Sequence, residues 1–93
     1  MTSIYTFVID YDGGTYLRQI KARGVRKALI KFITVIQKDK DYVWGKSMAD
    51  DLIEFARMGV WPVRVEGLEN VWCTSSSALN KFALINIVKT KSP

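Results

Sequence analysis

Hydrophobic and polar residues alternate at the start of the chain, where Tyr5, Phe7, Ile9 and Tyr11 are interleaved with Thr6, Val8 and Asp10. Period two with β-branched and aromatic side chains predicts a strand. Asp12-Gly13-Gly14 supplies residues that tolerate positive φ, as a tight hairpin turn requires. The run Thr15 to Ala22 returns as a second strand. A two-residue loop puts Tyr16, Arg18, Ile20 and Ala22 on the face of the odd residues of strand one, and Arg18 is the charged exception.

The period changes after Gly24. Val25, Ala28, Leu29, Phe32, Ile33 and Ile36 keep the i, i+3, i+4, i+7 spacing of a buried stripe and predict a helix over 25–38. Arg26, Lys27, Lys31, Thr34, Gln37 and Lys38 take the opposite face, with Ile30 as an apolar residue among them. Asp39 to Lys46 reads as a polar connection containing Tyr42 and Trp44. Ser47, with Asp50 three residues on, reads as a short capping box. It predicts a second helix near 48–58 that buries Met48, Leu52, Phe55 and Ala56 and stops at Gly59.

Strand patterning returns after Trp61-Pro62. Val63-Arg64-Val65 is short, Gly67 to Asn70 is turn-like, and Val71 to Thr74 reads as a strand. Ser75-Ser76-Ser77 reads as the opening of a polar loop. Phe82 to Lys89 reads as the last strand, although Leu79, Phe82, Ala83 and Ile87 also fit a helix. The order β-β-α-α-β-β-β predicts an α+β fold: an antiparallel sheet of four to five strands with two helices packed on one face. No linker divides the pattern, so one domain over residues 1–93 is expected.

Composition narrows the class. Hydrophobic residues at 48% and charged residues at 25% are ordinary globular usage and exclude a disordered chain. Cys73 is the only cysteine, so no disulfide forms within the chain, and a reducing, cytoplasmic compartment is expected. Met1-Thr2-Ser3 has no basic run and Asp10 interrupts the apolar stretch, which does not match a signal peptide. Phe82 to Val88 is too short to span a bilayer, and no membrane partner is expected.

Catalytic chemistry finds little support. Histidine is absent, which removes the usual base near neutral pH and the commonest metal ligand. Cys73 lies between Trp72 and Thr74 with no imidazole to activate it and reads as a structural thiol. Asp50 and Glu54 are one helical turn apart, where carboxylates near a helix start complement its dipole. Asp10-Tyr11-Asp12-Gly13 lacks the rest of a calcium loop, and Gly13-Gly14 opens no phosphate loop. No enzyme activity, cofactor or metal is expected.

Charge is the more informative property. The chain carries net +5, and residues 13–38 hold seven bases (Arg18, Lys21, Arg23, Arg26, Lys27, Lys31, Lys38) and no acid. Six of them, Lys21, Arg23, Arg26, Lys27, Lys31 and Lys38, make a candidate nucleic-acid-binding surface on strand two and helix one. A solvated helix face is the simpler explanation. Ile30, Tyr42 and Trp44 form a candidate protein interface, because aromatic anchors are enriched at such surfaces. For the tryptophans, closing the core over the ends of helix two is the favoured alternative.

The opening stretch Tyr5 to Tyr16, followed by a helix containing Lys27-Ala28-Leu29, resembles the start of HicB-type antitoxin domains. The Pro-Gly-Cys turn usual before that family's helix is missing, and the resemblance carries no function across. The expected role is a small non-catalytic binding or accessory domain acting through a protein partner or its own dimer. Nucleic-acid binding is the alternative.

Overall fold

Two hairpins and a short edge strand form one antiparallel sheet, and two helices cover one of its faces. In the computed structural model, which describes residues 2–90, the elements are β1 (Ser3–Tyr11), β2 (Gly14–Ala22), α1 (Val25–Lys38), α2 (Gly45–Arg57), β3 (Val63–Arg64), β4 (Val71–Ala78) and β5 (Lys81–Thr90). This is the α+β order expected from the pattern. The strands lie in the order β2-β1-β5-β4-β3, so the last strand of the chain is central.

Tyr11 pairs with Gly14 across the two-residue loop Asp12-Gly13, whose φ values of 48° and 79° are both left-handed. Tyr16, Arg18, Ile20 and Ala22 then share the face of the odd residues of β1. Tyr5, Phe7, Ile9 and Tyr11 on that face are buried against Leu29, Phe32 and Ile36 of α1 and Met48 and Leu52 of α2. Phe7 and Phe32 stack at the centre, with centroids 4.3 Å apart and planes within 7°.

Two local readings are corrected. First, α2 starts at Gly45 rather than after Ser47, with the Met48 N–H donating to the Trp44 carbonyl at 2.9 Å. Ser47 is not a cap; its hydroxyl accepts from the Leu79 N–H at 3.0 Å and ties α2 to the β4–β5 turn. Gly45 sits where α2 meets the end of α1, and a Cβ there would lie 2.1 Å from the Ile36 carbonyl oxygen. The helix ends as expected: Gly59 has φ 81°, its N–H bonds Ala56 O at 3.0 Å, and Val60 N–H bonds Phe55 O at 2.8 Å, a Schellman closure. Phe55 and Ala56 are half-buried rather than buried.

Second, β4 runs through Ser75-Ser76-Ser77 to Ala78 instead of turning into a loop. Asp51 of α2 explains this, because one carboxylate oxygen accepts from the Ser76 hydroxyl at 2.7 Å and the Ser77 N–H at 2.8 Å. That pairing lets Ser76 occupy the core face without an unmet hydroxyl. The last strand forms as expected, over Lys81–Thr90, and the helical alternative near Leu79 falls away. Leu79 and Asn80 form a two-residue loop with φ 51° and 66°, a conformation uncommon for a bulky residue such as leucine.

The two hairpin turns are linked by Lys81, whose ammonium donates to Asp12 at 2.9 Å. That hydrogen bond and the charge of Asp12 raise the Lys81 pKa above its ordinary value. The Lys81 ammonium that makes this link is therefore present at neutral pH and is lost as pH rises through the raised value.

Candidate functional site

The six candidate basic residues do not form one surface. Lys27, Lys31 and Lys38 fall on a single outward stripe of α1, while Arg23 precedes the helix and is not in its i, i+4 stack. Lys31 reaches back to the β2 edge, donating to the Lys21 carbonyl at 2.8 Å. The guanidinium of Arg26 lies over the Trp61 ring at 4.8 Å, on the α2 side of α1. Lys21 is opposite Ile4, so its side chain belongs to the face of the sheet away from the helices. Among the described residues the ion pairs are Arg18–Asp39 and Lys81–Asp12, which leaves the α1 stripe without an acidic partner.

Arg18 is the charged exception on the helix-facing side of β2, and its surroundings explain why it is tolerated. Its guanidinium pairs with Asp39 at the end of α1 and lies 5.4 Å from the centre of the Tyr42 ring. Arg18 Nε is buried without a partner among the described residues.

The candidate interface residues separate as well. Trp44 is only 3% exposed and stacks on Tyr42 at 4.5 Å, with Tyr16 at 5.1 Å and Tyr11 at 5.7 Å. It closes the core at the start of α2 and is not a surface anchor. Trp61 is half-buried against the core beyond the other end of α2. Tyr42 is half-buried as the lid on Arg18. Ile30 is 53% exposed and lines shallow grooves with Ile20 and Thr34 on one side and Ile53 and Trp61 on the other. Neither groove includes Tyr42 or Trp44.

A surface absent from the sequence reading lies on the other face of the sheet. Strand pairing aligns Val8, Leu17, Asn86, Cys73 and Val63 in one row across all five strands. Thr6, Gln19, Val88 and Val71 form the next row, and Asp10, Thr15, Leu84 and Ser75 flank the first on its other side. Leu17 is 63% exposed, Val63 67% and Phe82 65%. Among the described residues, the only charged ones whose side chains the strand registers place on this face are Asp10 and Lys21. Cys73 is half-buried there rather than enclosed in the core. The signal was present in the sequence as apolar residues (Ile4, Val8, Leu17, Leu84, Val88) at positions that strict alternation assigns to solvent.

Among the described residues no group of three or more His, Cys, Asp or Glu side chains is arranged to hold a metal. The cleft between α2 and the β4–β5 turn is lined by Asp50, Asp51 and Glu54, and Asp51 is already engaged with Ser76 and Ser77. Among the described residues, no helix is long and apolar enough to cross a membrane. Comparison with family models, curated proteins and solved structures finds no match to this chain, so no family comparison supports the resemblance of its opening hairpin.

Proposed function

We propose that the chain is a small non-catalytic binding or accessory domain that acts through protein–protein contact or self-association, with the open face of the sheet as its contact surface. The contrast between the two sides of the molecule carries this reading. The helix side presents Lys27, Lys31 and Lys38, whereas the open face presents Val8, Leu17, Leu84 and Val88 with only two charges among the described residues. Burying apolar surface is worth about 25 cal/mol per Å². Contiguous exposed patches of a few hundred Å² or more mark interaction sites on soluble proteins.

Cys73 provides the test, since it sits in the middle row of the face and is the only thiol in the chain. A covered face slows its alkylation in the cell relative to the dilute purified chain.

A second reading rests on the α1 stripe: nucleic-acid binding through Lys27, Lys31 and Lys38, with Arg23 beside them. Each phosphate contact contributes a log–log salt slope of about −0.7 to −0.9. Three or four contacts therefore give a total near −3 in fluorescence anisotropy with generic DNA or RNA. Absence of binding at low salt removes this reading.

A further inference from the structure

We infer that the occupant of the open face is a second copy of this chain, packed sheet to sheet about a twofold axis that lies midway between the two sheets, parallel to them, and runs across the strands. This inference rests on the contact reading above and gives it a partner and an orientation.

Electrostatics selects the face. Each copy carries net +5, so association is least opposed where charge is lowest. Stacked sheets sit about 10 Å apart, and the helices lie on their outer sides. In that arrangement Lys27 and Lys38 lie on the outer helix layers, and Lys31, on the Lys21 carbonyl at the β2 edge, is still separated from the other copy's Lys31 by both sheets, beyond the screening length of about 8 Å at physiological salt. The alternatives bring cations together. Edge pairing through β2 meets the Lys31 ammonium on the Lys21 carbonyl, and the α1–α2 groove is flanked by Arg26 and Arg57.

The two charges on the face select the orientation. Asp10 lies near the β1–β2 turn, and Lys21 lies opposite Ile4 at the far end of the same hairpin. A twofold axis across the strands at the level of Phe7 superposes the Asp10 row of one copy on the Ile4–Lys21 row of the other. Each Asp10 then comes within reach of the other copy's Lys21, twice by symmetry. A twofold axis along the strands keeps the two rows apart and leaves both charges unmatched.

Area sets the strength. Four strands spaced about 4.8 Å, each contributing about eight residues at about 3.3 Å, give a face of roughly 500 Å² per copy. The total of about 1,000 Å² is at the lower bound for a specific interface, so a reversible dimer is expected rather than an obligate one.

Sedimentation equilibrium of the purified full chain over a wide concentration range tests the arrangement, with thermal unfolding as a check that each variant is folded. The wild type is expected to show a reversible monomer–dimer equilibrium. Leu17→Lys is expected to weaken it by at least about tenfold, and Val88→Lys serves the same purpose from β5. Asp10→Lys and Lys21→Glu are each expected to weaken the dimer about three- to tenfold, and the double exchange to restore it. A dimer weakened by Leu17→Lys but not restored by the double exchange overturns the orientation and leaves the contact reading in place. A dimer indifferent to Leu17→Lys and Val88→Lys overturns both. A chain that stays monomeric at every concentration overturns the second copy as occupant, and protection of Cys73 in the cell then decides separately whether the face is a contact surface.

Discussion

Phe32→Ala is expected to lower stability by about 3–5 kcal/mol. Phe32 has no exposed surface and lies flat on Phe7, so truncation opens a cavity and leaves Phe7 without its stacking partner where α1 meets β1. Aromatic pairing adds about 0.5–1.5 kcal/mol to what burial alone contributes. Domains of this kind have about 5–15 kcal/mol in total, so the variant stands near the limit of folding. Ile30→Lys is the matched control, because Ile30 lies about 160° around the helix from Phe32 and a surface site changes stability by about 0.5 kcal/mol or less. Urea unfolding of both variants measures the difference. Equal costs would mean that the outward face of α1 is also covered.

Gly45→Ala is expected to destabilise by about 2–3 kcal/mol, and the sign makes the result diagnostic. Gly45 is the first residue of α2, and inside a helix an exchange of glycine for alanine ordinarily gains up to about 1 kcal/mol. Here the added methyl would meet the Ile36 carbonyl oxygen at 2.1 Å, and that oxygen is backbone held within α1. The clash is relieved only by moving one helix away from the other, which also disturbs Trp44 and Met48 beneath the junction. Chemical denaturation measures the cost. A stabilised Gly45→Ala variant would contradict the close crossing of α1 and α2.

The parts of the fold that sequence pattern resolved are those governed by local periodicity. The register of the first hairpin followed from the Asp12-Gly13 loop, and the bounds of α1 from its apolar stripe. The errors came where a distant residue decides the local structure. Nothing near Ser75-Ser76-Ser77 marks it as strand, because the Asp51 carboxylate that satisfies Ser76 comes from α2. Ser47 has the composition of a cap, but α2 begins where Gly45 permits the approach to Ile36, and that contact is tertiary.

The candidate surfaces show the same division. Charge counting found the α1 stripe, yet it grouped Lys21 and Arg26 with residues from which the fold separates them. Trp44 read equally well as an anchor and as core, and its ring contacts with Tyr11, Tyr16 and Tyr42 decide for core. The open face needed the sheet order. Val8 and Leu17 on one hairpin become part of a continuous surface only because β5 inserts between β1 and β4.

Alkylation of Cys73 in intact cells, compared with the purified chain at high dilution, tests most directly whether that face works by contact. The thiol lies between Val63 and Asn86 in the central row, and no other cysteine contributes to the signal. The expected result is slower labelling in the cell, with the dilute rate recovered when Leu17→Lys places a charge in the same row. Equal rates for the wild type in the cell and at high dilution would contradict the open face as a contact surface.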